Sequence, residues 1–168
     1  MAVRAVGFDF MGTLVHVRLD NKKYVRSMHR KLVELGIALS YKDLTEAHDR
    51  AAQRYRKIRV DSCREIDNRF WVADALEELG YHAKPDDKLI VEAVDAYFDP
   101  FIASLKVAPR AFATLSKIGK YLSVGLISNF SYGEAIRKAL RKLRLNRFFD
   151  AVVISDEVGW RKPHPKIF

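Results

Sequence analysis

Residues 6–15 read VGFDFMGTLV: an apolar run that opens at Val3 and closes at Phe8 delivers one carboxylate, Asp9, into a turn marked by Gly12 and Thr13. Valine and phenylalanine without polar alternation predict a strand buried on both faces, as in parallel sheets covered by helices. Such a strand, ending on an acid, carries that acid to the carboxyl end of the sheet, where open α/β sheets bind their ligands.

Working outward, the chain after Leu14 reads as helical up to residue 104. Asp20 is placed to cap a helix running to Leu35, with Tyr24, Met28, Leu32 and Leu35 on one face and Gly36 as its stop. Ser40 caps a second helix through Ile58. A third runs from Ser62 to Leu79, carrying Ile66, Phe70, Trp71, Ala73, Leu76 and Leu79, and stops at Gly80. Pro85 suits the first turn of a fourth, which passes Tyr97 and Phe98 toward Phe101. From Pro109 the rhythm changes. A helix ends near Gly119, LSVGLIS (122–128) is a buried strand, and SNFSYGE is a turn into another helix. AVVIS (151–155) is the next strand, and EVGWRKPHP is an extended loop. Strand, helices, strand, helix, strand predicts an α/β fold with a parallel sheet and an all-helical insertion after strand one.

At 168 residues and 49% apolar content the chain is long enough for one core domain plus a small insertion. It has no run of roughly 18 apolar residues, so no membrane-spanning helix is expected, and its first residues do not read as a secretory signal. Cys63 is the only cysteine, which excludes an intrachain disulfide and a cysteine metal cage and fits a cytoplasmic location. The net charge of +9 is uneven: residues 108–168 carry twelve basic and four acidic residues, a net of +8. The basic run RKALRKLRLNR (137–147) reads as a solvated helix face rather than a nucleic-acid arm, because Ile136, Ala139, Leu140 and Leu143 recur at helical spacing and the cations fill the other side.

Three polar groups stand at or just beyond the expected strand ends: Asp9, Ser128 and Lys162. Together they suit the handling of an oxyanion. A carboxylate can act as a nucleophile, a hydroxyl with backbone N–H groups can hold phosphoryl oxygens, and an ammonium can offset the negative charge.

In these residues the sequence resembles the haloacid dehalogenase-like (HAD) hydrolase superfamily. VGFDFMGTL resembles its first motif, hhhhDxDGT, at all positions but one; VGLISN, with Ser128, resembles the second; VGWRKPHPKIF, with Lys162, resembles the third. The resemblance implies a Rossmann-like parallel sheet built from residues 1–16 and 105–168, with residues 17–104 forming a helical C1 cap. It implies that Asp9 is the nucleophile and a Mg²⁺ ligand, that the Met11 carbonyl is a second metal ligand, and that Thr13 supports the loop after strand one. Ser128, Asn129 and Lys162, with backbone N–H groups of Phe10, Met11 and Gly12, are implied to bind the transferred group. The substrate implied is a small anion, most readily a phosphate ester.

The sequence departs from that pattern in two places. Met11 stands where phosphatases of the superfamily carry an acid–base aspartate, and a thioether transfers no protons. Dehalogenase branches carry Tyr there and phosphonatase branches Ala, so a metal-free 2-haloacid dehalogenase and a non-catalytic binding module stand as alternatives to a Mg²⁺-dependent phosphatase. An acidic fourth motif is also implied by the resemblance, yet no Asp or Glu follows Glu157. The sheet is therefore expected to be incomplete at its C-terminal end, Mg²⁺ to be weakly held and turnover to be low. The open edge of strand one would then invite homo-oligomerisation or strand exchange. Trp160, the five histidines and Cys63 are read as structural.

Overall fold

The computed structural model describes residues 2–17 and 21–168. Strand β1 (Ala5–Phe8) leads into the short β2 (Val15–His16), and four helices follow: α1 (Asn21–Glu34), α2 (Tyr41–Ser62), α3 (Asn68–Glu78) and α4 (Lys88–Ser104). The chain returns through β3 (Lys106–Val107) and continues as α5 (Ala111–Ile118), β4 (Ser123–Ser128), α6 (Gly133–Lys142), β5 (Ala151–Ile154) and the single turn α7 (Ser155–Val158). Strands β1, β4 and β5 form a parallel sheet in the order β1-β4-β5. Phe8 stands level with Leu126, and Ser128 with Ile154, so the three strands end along one rim. The antiparallel pair β2–β3 is the stem on which the helical insertion leaves the sheet and comes back to it.

The helices form where apolar residues recur at helical spacing, and each has a physical start or stop. In α1, Tyr24, Val25, Met28 and Leu32 are buried against α4. Gly36 then takes a φ of 89°, open to glycine at little cost, and lets the Ile37 N–H reach back to the Leu32 carbonyl at 3.0 Å. Gly80 ends α3 in the same way. The expected cap at Ser40 is present, its hydroxyl accepting from the Asp43 N–H at 3.0 Å. Between α2 and α3, Ala47, Ala51, Ala52 and Ala75 let the backbones approach, and the Trp71 indole stacks on Tyr55. Helix α6 buries Ala135, Ile136, Ala139 and Leu140 on its inner face. Three of its cations, Arg137, Lys138 and Arg141, are paired with Glu157, Asp95 and Glu134 of the same chain.

Several expected boundaries shift for local reasons. Helix α2 runs past Ile58 to Ser62, and α3 begins at Asn68 rather than Ser62. Cys63 turns left-handed, and Asp67 rather than Ser62 caps α3, its carboxylate accepting from the Arg69 N–H at 2.7 Å. Pro85 lies in the turn before α4, and Pro109 in the turn before α5. The stretch expected to be extended opens with α7, which Gly159 closes at a φ of 74°. Leu35 lies beyond α1 and is exposed. Strand β1 is shorter and less buried than its composition predicts: Ala5 and Gly7 are exposed, Val6 and Phe8 half-buried, and its outer edge has no strand partner among the described residues. The expected Asp20 cap lies outside the described residues. Among the described residues no helix is long and apolar enough to cross a membrane.

Candidate active site

The rim where the parallel strands end gathers the expected residues. Asp9 follows β1, Ser128 closes β4 with Asn129 next in line, and the loop after α7 brings Lys162 across from the far side. Lys162 Nζ donates to Asp9 Oδ1 at 2.9 Å and to the Ile127 carbonyl at 2.7 Å, so the ammonium is held between the ends of β1 and β4. Asp9 Oδ1 also accepts from the Phe10 N–H at 2.9 Å. The Asp9 side chain remains 43% exposed and open to an incoming group.

Asn129 serves the site indirectly. Its side-chain oxygen accepts from the Lys162 N–H at 2.7 Å, and its amide nitrogen donates to the Lys162 carbonyl at 3.1 Å. Both backbone groups of Lys162 are thus held by the residue that follows Ser128. Ser128 itself is 1% exposed, and its hydroxyl has no hydrogen-bond partner among the described residues. Leaving a buried hydroxyl unsatisfied costs about 1–3 kcal/mol, and such groups are few in native proteins.

The loop after β1 closes differently from the expectation. Leu14 and Val15 N–H groups both donate to the Phe10 carbonyl, and the Gly12 N–H donates to the Val15 carbonyl at 2.9 Å. Thr13 is exposed and makes no hydrogen bond among the described residues, and backbone bonds of its neighbours close the loop. With the Phe10 and Gly12 amides engaged within the loop, the Met11 N–H is the one of the three expected there that has no partner among the described residues. The Met11 side chain is half-buried and packs on the core.

Around the rim, sequence reading missed a polar cluster between the helical insertion and the sheet. Glu65 lies in the segment joining α2 to α3, its side chain fully buried. It accepts from Ser155 Oγ at 2.5 Å and from Arg161, with Arg59 beside its other oxygen at 3.5 Å. Burial pulls the Arg59 guanidinium below its ordinary value, an effect that Glu65 opposes and Arg161 adds to. A second bridge joins α4 to the core, where Asp95 accepts from Tyr132 Oη at 2.9 Å and from Lys138 Nζ at 2.7 Å. Phe98 stacks on Tyr132, and Phe101 tilts against Phe130. Glu65 and Arg161 are 96 positions apart, and no local periodicity marks either.

The chain matches the family model for haloacid dehalogenase-like hydrolases over residues 3–168. It is 31% identical over 170 residues to the glyceraldehyde 3-phosphate phosphatase of Methanopyrus kandleri, a match covering 99% of this chain and 67% of that relative. The fold is shared with a 2-haloacid dehalogenase from Pseudomonas syringae pv. Tomato DC3000, at a TM-score of 0.69 and 20% identity over 99% of this chain and 70% of that one. It is shared too with a HAD phosphatase from Thermococcus onnurineus, at a TM-score of 0.58 and 23% identity over 99% and 68%. With a parallel sheet, an aspartate at the end of its first strand and a lysine bonded to it, the chain belongs to the haloacid dehalogenase-like hydrolases.

Proposed function

We propose that this chain is a phosphatase-type hydrolase acting in the cytoplasm on a small phosphate ester, with Asp9 as its nucleophile and residues 17–104 as a cap over the core formed by 1–16 and 105–168. One observation carries the reading: the Lys162–Asp9 ion pair at the sheet's carboxyl rim, beside a buried Ser128 hydroxyl that a phosphoryl oxygen would satisfy. The relative named as a glyceraldehyde 3-phosphate phosphatase supports a small phosphorylated substrate. In the step proposed, an Asp9 carboxylate oxygen forms a bond to phosphorus while the bond to the leaving oxygen breaks, giving an aspartyl phosphate. Water then cleaves that anhydride, releasing phosphate and returning the carboxylate. Lys162 offsets the charge on the phosphoryl oxygens, Ser128 and the Met11 amide donate to them, and Asn129 keeps Lys162 in place.

The family implies Mg²⁺. The described residues offer it Asp9 and the Met11 carbonyl, and no group of three or more His, Cys, Asp or Glu side chains suited to a metal occurs among them. Beyond waters and substrate phosphate oxygens, Mg²⁺ would have only one carboxylate, with one oxygen already bonded to an ammonium, and one carbonyl among the described residues to hold it. Weak binding is expected.

A non-catalytic, anion-binding reading is favoured by a single feature, the apolar Met11 packed on the core at the acid–base position. Met11→Asp separates the two. If Asp9 is a competent nucleophile lacking a proton-transfer partner, hydrolysis of an aryl phosphate should rise toward the roughly 10²–10⁴-fold that general acid–base catalysis supplies. Asp9→Asn should abolish it. A folded Met11→Asp variant at background activity would favour the binding module or the dehalogenase, and chloride release from a 2-chloro acid distinguishes those two.

A further inference from the structure

The polar cluster between cap and core lies outside the reaction just described, yet it touches both loops that carry the site. Residues 63–65 of the cap pair with residues 159–161 of the core: the Glu65 N–H donates to the Gly159 carbonyl at 3.1 Å and the Arg161 N–H to the Cys63 carbonyl at 2.8 Å, around an antiparallel bridge between Arg64 and Trp160. Outside this bridge the Arg64 guanidinium lies 4.5 Å over the Trp160 ring, which also stacks on His164. Inside it, the buried Glu65 carboxylate holds Arg161, the residue before Lys162, and Ser155. The Ser155 hydroxyl in turn accepts from the Phe130 N–H at 2.8 Å, two residues after Ser128.

We infer that Glu65 is a positioning residue: its carboxylate ties the docking of the cap to the placement of Lys162 and of the loop following Ser128, so that the anion site is complete only with the cap down. The inference rests on the reading of Lys162 and Ser128 as an anion site. Its physical basis is charge and burial. Glu65 stands between Arg59 of the cap and Arg161 of the core, and without it two guanidiniums face each other across the boundary. Docking is then opposed where it is now favoured, and Arg161 loses the anchor that sets the path of the chain into Lys162. Trp160 gains a role as well, as the aromatic platform on which Arg64 of the cap rests.

The test uses Glu65→Ala and Glu65→Gln in the full chain, the glutamine keeping an acceptor oxygen without the charge. Amide hydrogen exchange is followed at Lys162 and Phe130, whose N–H groups bond Asn129 and Ser155 rather than Glu65. Exchange at both should speed up by about tenfold or more in Glu65→Ala and less in Glu65→Gln, with amides in the α2–α3 pair unchanged. Affinity for inorganic phosphate should fall by about tenfold in Glu65→Ala, and this loss should vanish when Lys162 is replaced by Met, because the two residues act through one another. Unchanged exchange at Lys162 and Phe130 overturns the inference; where Glu65→Ala does not fold, the same result in Glu65→Gln overturns it. So does an equal loss of phosphate affinity with and without Lys162. A wild-type protein that binds no phosphate counts against the proposed function instead, and the exchange rates then decide the positioning role alone.

Discussion

At the scale of single residues, the candidate site rests on one ion pair, with Lys162 Nζ 2.9 Å from Asp9 Oδ1. Asp9 and Ser128 are marked in the sequence by standing where apolar strands end, whereas Lys162 lies in the loop beyond α7. What the motif could not show is how the loop spends its own amides: Gly12 donates to Val15 and Phe10 to Asp9, which depends on the path of the turn rather than on its residue types. His48 was equally opaque. Its ring is buried beside Tyr97, both nitrogens lack partners among the described residues, and burial pushes its pKa down to about 4. The unfolded chain therefore binds a proton that the folded one resists between pH 6.5 and about 4. Stability from this residue is present above pH 6.5 and is lost as pH falls through that window, by up to about 3 kcal/mol. Denaturant melts at stepped pH should show this loss in the wild type, and a His48→Phe variant should lack that part of the pH dependence.

At the scale of elements, helices were legible wherever a stop or a cap had a chemical signature, as Gly36, Gly80 and Ser40 do. Local pattern misleads at residues 63–67, where the apolar periodicity runs on but the backbone leaves the helix to pair with residues 159–161. A contact with a segment so distant in sequence overrides local preference and leaves no local trace. The start of α6 shows the same long-range control. Asp156 accepts from the Gly133 N–H at 2.8 Å, yet burial, with the charges of Asp67 and Glu65, raises its pKa to about 6. A carboxyl raised in the folded state is most favourable below pH 3.8 and loses that contribution as pH rises through about 6. Asp156→Asn keeps an acceptor for Gly133 and removes the charge. It should stabilise the protein at pH 7 by about 1–2 kcal/mol, after allowance for solvent screening, and by nothing below pH 4. Thermal melts at the two pH values check this, and a destabilised variant at pH 7 would contradict it.

For the whole molecule, the order of strands and helices was enough to predict a parallel sheet with an all-helical insertion, because crossover rules leave few other arrangements. The burial of strand one was not predictable in this way, since it depends on what lies beside the strand. With β1 paired on one side only among the described residues, and Val3 exposed nearby, an apolar edge is open to another chain. Self-association through that edge is expected to grow with concentration in light scattering, and a lysine at Val6 should suppress it. A wild-type protein that stays monomeric at high concentration would contradict the expectation.

The central claim is that Asp9 attacks phosphorus, and the absence of a proton-transfer group at Met11 makes that claim unusually accessible. An aryl phosphate with a good leaving group needs little protonation to depart, whereas hydrolysis of the aspartyl phosphate needs an activated water. The covalent intermediate should therefore build up. The direct measurement is intact-mass and peptide mass spectrometry of the protein quenched in acid after mixing with such a phosphate in the presence of Mg²⁺. The account predicts one added phosphoryl group on the peptide containing Asp9, shorter-lived in Met11→Asp and absent in Asp9→Asn. A wild-type protein that hydrolyses the ester with no phosphoryl group trapped at Asp9, or one whose label survives Asp9→Asn, would contradict it.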